Sequence, residues 1–100
     1  MKTSIQWIEA AKTVLRIDSD RQLCINLGWN RQTVQDVRSG KKFLNNTEAA
    51  QIAEALQVNP LVIIADAETE RAKDEKARLY WANAAKSKLQ LQKKLITFLL

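Results

Sequence analysis

Only two glycines and one proline occur among the 100 residues of this chain. All-β sandwiches and barrels need many tight turns, and these turns commonly require glycine or proline. The scarcity therefore argues against an all-β fold and favours helices joined by short connections. Because 46% of the residues are hydrophobic, the chain has enough apolar material for the core of one small domain. We therefore expect an all-α fold.

Capping residues divide the chain into helices of ordinary length. Gly28 and Gly40 stand where a helix commonly ends in a left-handed residue, and Pro60 follows Asn59, which favours a helix start. The helix that begins at Pro60 should break between residues 68 and 74, because an unbroken helix to the C-terminus would span about 60 Å. The predicted helices cover residues 3–15, 20–27, 31–39 and 48–56, with a fifth from 60 and a last one from about 75.

Apolar spacing predicts which side of each helix faces the core. In the first helix, Ile5, Ile8 and Leu15 recur at steps that fit one helical face. In the fifth helix, Leu61 and Ile64 have the same relationship. We expect these side chains to face the core.

Side chains suited to catalysis and metal binding are scarce. The chain contains no histidine, and Cys24 is its only cysteine. These absences exclude the usual zinc sites and an internal disulfide, and they remove the commonest general base. We therefore predict no catalytic residue, no metal and no cofactor. A lone cysteine, without a signal-like start or a long apolar run, further predicts a cytoplasmic protein.

The charge balance points to an anionic partner. Lys and Arg outnumber Asp and Glu by 16 to 11, which gives a net charge of +5. A basic excess favours association with nucleic acid or with a membrane surface. Charge alone does not distinguish the two.

Residues 21–39 have the pattern of a helix-turn-helix unit, in which Gly28 lets the backbone reverse direction between two short helices. The small Cys24 lets the two helices approach closely. The apolar side chains that should hold the second helix against the first are Leu23, Leu27, Trp29, Val34 and Val37. The outward side chains suit base edges and phosphates; they are Asn30, Arg31, Gln32, Thr33, Gln35, Asp36 and Arg38.

Residues 21–40, with the sequence RQLCINLGWNRQTVQDVRSG, resemble the helix-turn-helix of the lambda-repressor-like (Cro/C1, or XRE) family. The resemblance extends over residues 4–70. The segments 31–34, 38–40 and 68–72 are most similar to small repressors of filamentous phages. This resemblance implies a five-helix bundle whose third helix enters the major groove of double-stranded DNA.

The resemblance also implies roles for individual residues. The bases would be contacted by Asn30, Arg31, Gln32, Gln35 and Asp36. The phosphates would be contacted by Lys41, Lys42, Asn46 and Thr47. Two acidic residues depart from the family pattern. Asp20 stands where relatives often have Gln, and the carboxylate of Asp36 can accept from cytosine N4 but would repel phosphate.

Residues 74–100 differ in character from the predicted DNA-binding domain of residues 1–73. Their apolar side chains form two rows on one helix, which is more than the core of a monomer needs. We expect this helix to pair two subunits, with the alternative that it folds back on its own bundle. The predicted dimer contacts are Trp81, Ala85, Leu91 and Leu95.

The end of the chain also has a feature of membrane proteins. Lys93 and Lys94 precede the mostly apolar segment 95–100, an order that resembles the cytoplasmic flank of a membrane helix. This segment is too short to span a bilayer. It could anchor weakly at a membrane surface, or it could mark a point where the chain was cut short.

The sequence as a whole predicts a sequence-specific DNA-binding transcriptional regulator, of the type of a phage repressor that binds a two-fold operator as a homodimer. Two alternatives stay open. One is a protein-interaction or membrane-associated helical module, and the other is an antitoxin-like autoregulator. An enzyme is not expected.

Overall fold

The computed structural model describes residues 1–84, 86 and 87. Residues 75–84 are helical and are called α6. All regular secondary structure in the described residues is helical, which confirms the predicted all-α class. The helices before α6 are α1 (Ser4–Leu15), α2 (Asp20–Leu27), α3 (Arg31–Arg38), α4 (Asn46–Leu56) and α5 (Pro60–Arg71).

Side-chain caps decide where the helices begin. Thr3 and Gln6 form the predicted capping box at the start of α1, in which each side chain accepts from the other residue's backbone N–H. Asn45 and Glu48 form a second capping box. Because Asn45 is the cap, α4 begins at Asn46 and not at Glu48 as predicted.

The predicted break before the last helix is confirmed. α5 ends at Arg71, and Ala72 takes an extended conformation with φ −62° and ψ 130°. The Asp74 carboxylate then accepts from the backbone N–H of Ala77 at 2.7 Å. Asp74 therefore caps the start of α6.

The hydrophobic core lies where the three longest of the helices α1 to α5 meet. Ile8 of α1, Ile52 of α4 and Ile63 of α5 are fully buried. The short helices α2 and α3 join this core through Leu23 and Val37. The α2–α3 pair is thus held on a support formed by α1, α4 and α5.

One predicted core position of α1 is wrong. Ile5 is 37% exposed, whereas Ser4 and Trp7 are buried. The indole Nε1 of Trp7 donates to the carboxylate of Asp66 at 2.8 Å, and Ser4 Oγ donates to Glu70 at 2.5 Å. Both polar groups therefore have partners on α5, so this side of α1 can be buried without an unpaired donor.

One predicted core position of α5 is wrong as well. Leu61 is 47% exposed, and Val62 and Ile63 are buried instead. Residues 61–65 are all apolar, so their spacing could not decide which side of the helix faces the core. The packing of α5 against α1 and α4 makes that choice.

Candidate nucleic-acid interface

The turn between α2 and α3 has the geometry that the sequence predicts. Gly28 has φ 70° and ψ 29°, a left-handed conformation that favours glycine. The backbone N–H of Trp29 donates to the carbonyl of Cys24 at 2.8 Å. The Cys24 thiol lies 3.8 Å from the carbonyl oxygen of Asn30, so the small residue does lie at a close approach between the helices.

The apolar residues of the helix-turn-helix unit are buried to different degrees. Leu23, Val34 and Val37 are buried, whereas Leu27 and Trp29 are half-buried. α3 is therefore fixed through one side and leaves its other side to solvent.

Gln51 of α4 anchors the turn. The sequence did not predict this role. Its Oε1 accepts from the Trp29 indole at 2.7 Å, and its Nε2 donates to the carbonyl of Leu27 at 2.8 Å. Nothing in the spacing of α4 marks this residue, because its role depends on a turn distant in sequence. Gln51 thus ties the α2–α3 turn to the central helices.

The predicted base-contacting residues of α3 lie on its solvent side. Arg31, Gln32 and Gln35 are exposed, and Asp36 is half-buried. Thr33, which was predicted only as an outward residue, is half-buried next to the buried Val34. The structure thus brings four of the five predicted base contacts together on one short helix.

Asn30 is exposed at the start of α3, but its side chain is already engaged. Its Oδ1 accepts from the backbone N–H of Gln32 at 2.9 Å. The residue caps α3, so its oxygen is occupied by the helix itself.

Arg38 was predicted as a DNA contact, and it lies within an ion-pair network. Its Nε and Nη2 donate to the two carboxylate oxygens of Asp20 at 2.7 and 2.8 Å. The same guanidinium contacts Glu9, and Lys12 contacts Asp20 at 3.1 Å. The network thus joins α1, α2 and α3, and the Arg38 guanidinium already has carboxylate partners.

These contacts shift the pKa values of Asp20 and Arg38 in opposite directions. The hydrogen bonds from Arg38, helped by those from Lys12, lower the pKa of Asp20 from 3.8 to about 2, against an opposing effect of burial. The hydrogen bonds to Asp20 and Glu9 raise the pKa of Arg38. Both side chains are therefore charged at neutral pH.

Lys41 and Lys42 follow a tight turn at the end of α3. Gly40 has φ 80°, and the backbone N–H groups of both lysines donate to the carbonyl of Asp36, at 2.9 and 3.3 Å. Lys41 is exposed. The Lys42 ammonium contacts the carboxylate of Glu48 at 2.8 Å. The two lysines therefore differ, since only the charge of Lys42 is compensated by a described acidic neighbour.

The segment after these lysines is anchored at Leu44, through both the backbone N–H and the carbonyl of this residue. Ser4 Oγ accepts from the backbone N–H of Leu44 at 3.1 Å, and Arg71 Nη2 donates to the carbonyl of Leu44 at 2.5 Å. Asn46 and Thr47 follow as the first exposed residues of α4. The segment between α3 and α4 is thus held against α1 and α5.

A small groove of about 110 Å³ opens between α2 and α3, with Arg21 and Arg31 among its lining residues. Arg21 is exposed on α2 and was not among the predicted contacts, although its position within the helix-turn-helix segment could have indicated it. Cys24 also lines the groove. Burial raises the pKa of this thiol, as does nearby Asp20, so the thiol stays protonated at neutral pH.

The predicted dimer contacts fall mostly outside the described residues. Trp81 is half-buried on α6, and its ring meets the ring of Tyr80 edge to face at 5.2 Å. The other predicted contacts, Ala85, Leu91 and Leu95, lie outside the described residues. Of the predicted interface, the structure therefore describes Trp81 alone.

No family model, curated protein or solved structure matches this chain. Its function is therefore inferred from its own residues and their geometry. Among residues 1–84, 86 and 87, no group of three or more His, Cys, Asp and Glu side chains is placed to hold a metal ion. None of the described helices is long and apolar enough to cross a bilayer.

Proposed function

We propose that the chain is a sequence-specific DNA-binding transcriptional regulator of the lambda-repressor-like type, in which α3 enters the major groove of double-stranded DNA. One observation carries the proposal. The α2–α3 pair is closed by a left-handed Gly28 and fixed from inside by Val34, and it presents the exposed side chains of Arg31, Gln32 and Gln35. Such side chains form the common bidentate contacts with guanine and adenine.

The residues around α3 suit the DNA backbone. Lys41 is exposed, and the first turn of α4, with Asn46 and Thr47, is exposed beside the same segment. The amide groups at a helix start favour an anion such as phosphate. We propose that these residues hold phosphates and fix the position of α3 in the groove, without reading the sequence.

We further propose that the regulator acts as a homodimeric repressor on a two-fold operator. One short helix covers about half of a usual site, so tight binding commonly requires two copies about one helical turn of DNA apart. α6 follows the bundle and exposes Leu79 and Tyr80 beside the half-buried Trp81. Its exposed apolar surface supports a role in pairing two subunits.

Selection from a pool of random double-stranded DNA tests the proposal. The full chain should enrich one two-fold sequence, and its affinity for that sequence should fall with rising salt. Arg31→Ala should reduce the enrichment and remove the preference at the base pair that Arg31 contacts. Lys73→Ala removes the same charge from an exposed position between α5 and α6 and should keep the selected sequence. A full chain that enriches no sequence would contradict the proposal.

A second candidate function is a protein-interaction module, and α6 is the feature that favours it. Leu79 and Tyr80 are 50% and 66% exposed, and exposed apolar side chains grouped on one segment are typical of interaction surfaces. An antitoxin-like autoregulator would combine both functions. A chain that binds no DNA in the selection but captures one protein through α6 would favour the interaction module.

A further inference from the structure

Two side chains on the solvent side of α3 bind each other. The amide Nε2 of Gln32 donates to the carboxylate Oδ1 of Asp36 at 2.8 Å. The two residues are four positions apart, so they lie one above the other on the helix. This pair occupies the same side of α3 that the proposed function assigns to the major groove.

The backbone holds both members of the pair in place. The N–H of Gln32 donates to the Asn30 cap at 2.9 Å. The carbonyl of Asp36 accepts from the N–H of Lys41 at 2.9 Å. Backbone hydrogen bonds therefore fix α3 at both residues of the pair.

We propose that Asp36 is a specificity-determining residue that orients the amide of Gln32, so that Gln32 selects adenine. This inference rests on the proposed function. An ionised carboxylate only accepts hydrogen bonds, so the amide must turn its nitrogen toward Asp36. The opposite orientation would bring two oxygens together.

The orientation decides which base fits. The Gln32 nitrogen carries two hydrogens, and Asp36 uses one of them. The oxygen and the second hydrogen stay available, and they match the N6 donor and the N7 acceptor of adenine. Guanine offers acceptors at both O6 and N7, so a fixed amide oxygen would meet another oxygen. Without Asp36, the amide can turn and donate to guanine.

If Asp36 contacted a base itself, the variants would change the selected sequence in a different way. A carboxylate on this side of α3 can accept from cytosine N4. Asp36 lies one helical turn beyond Gln32, so a base that it reads by itself would be a different base from the one that Gln32 reads. The two roles therefore change preference at different positions of the selected sequence.

The test is selection from random double-stranded DNA by the full chain, by Asp36→Ala, by Gln32→Ala and by the double variant. Asp36→Ala should lower the preference for adenine over guanine about tenfold at one base pair. Gln32→Ala should remove preference at the same base pair, and the double variant should add nothing further. The rest of the selected sequence should be unchanged.

Two controls distinguish the proposed orientation of the Gln32 amide from an effect of net charge and from an effect on folding. Glu54→Ala removes one acidic charge from an exposed position on α4 and should leave the selected sequence as it is. Circular dichroism should show equal helicity for all variants, because both mutated side chains of the pair lie on the solvent side of α3.

The outcomes also separate this inference from the proposed function. If Asp36→Ala retains the preference for adenine, or changes preference at a different base pair, Asp36 does not orient Gln32 and the inference is wrong. If the selected sequence contains no adenine at the base pair that Gln32→Ala affects, the inference is equally wrong while the proposed function stands. A full chain that selects no sequence overturns both.

Discussion

Arg38 at the end of α3 donates two hydrogen bonds to the carboxylate of Asp20 at the start of α2, at 2.7 and 2.8 Å. A guanidinium that binds both oxygens of a carboxylate has a defined orientation. Glu9 of α1 contacts the same guanidinium. The C-terminal end of α3 is thus tied to both preceding helices, in addition to the apolar contacts at its buried side.

Removal of this ion pair should destabilise the fold slightly. Both side chains are about one third exposed, so solvent weakens the interaction, and Arg38→Ala should cost about 1 kcal/mol of unfolding free energy. Asp20→Asn should cost a similar amount, and the double variant should cost less than the sum. Chemical denaturation of the four proteins measures this coupling. Additive losses would show that the two side chains do not interact in solution.

Acid should weaken the same ion pair in a defined range. The pKa of Asp20 is about 2 in the folded chain, below its ordinary value of 3.8. Ionised Asp20 therefore stabilises the folded state fully above about pH 4, and this contribution is lost as the pH falls toward about 2. Between these values, the unfolding free energy of the natural chain should fall more steeply than that of Asp20→Asn. Parallel curves would contradict the lowered pKa.

Truncation of the exposed polar side chains of α3 should impair DNA recognition and leave the fold intact. Arg31→Ala, or Gln32→Ala combined with Gln35→Ala, should each weaken binding to the selected sequence by about 1–3 kcal/mol for every bidentate interaction with a base that is removed. All three side chains are exposed, so the melting temperature should not change. Gel-shift titration against selected and random DNA measures the effect, and an unchanged ratio of the two affinities would exclude α3 as the reader.

The two lysines after α3 should behave differently from each other. Lys41→Ala should weaken binding to selected and random DNA alike, and should reduce the salt dependence by about one unit. Lys42 contacts Glu48, which is 8% exposed. Lys42→Ala should therefore lower stability by leaving a largely buried carboxylate without its cation.

Salt titrations and thermal unfolding of both lysine variants distinguish these effects. Lys42→Met, which keeps an aliphatic stem without the charge, separates the effect of the ion pair from the effect of packing. Equal changes in salt dependence for Lys41→Ala and Lys42→Ala would mean that Lys42 exchanges Glu48 for a phosphate when DNA binds.

Truncation after Lys73 should leave a folded bundle that binds DNA weakly. The hydrophobic core cluster of the described residues extends from Trp7 to Ala67, so the shortened chain keeps it. Without α6, two copies would no longer be joined, and the gain from raised effective concentration would disappear. Sedimentation and gel shift of the two chains test this. A monomeric full chain at tens of micromolar, or a truncated chain that still binds cooperatively, would contradict the assigned pairing role.

Local interactions explain why the helix boundaries could be predicted. The caps Thr3, Ser19 and Asn30 bind N–H groups only two or three residues away, and Gly28 adopts its left-handed conformation within its own turn. Such interactions depend on neighbouring residues alone, so they can be inferred from the letters of the chain. The exposed row on α3 follows from the same helical spacing, because Val34 and Val37 define its buried side.

Interactions between distant residues could not be inferred in this way. Trp7 is buried and Ile5 is not, and the acceptor that the buried indole needs, Asp66, lies on another helix. Arg38 belongs to an ion-pair network because packing of α1, α2 and α3 brings carboxylates to it. Helical spacing shows which side chains share a face, but partners far apart in sequence meet only when the helices pack. The amino-acid order therefore determined the helices and their turns, and tertiary packing decided which polar side chains remained available at the surface.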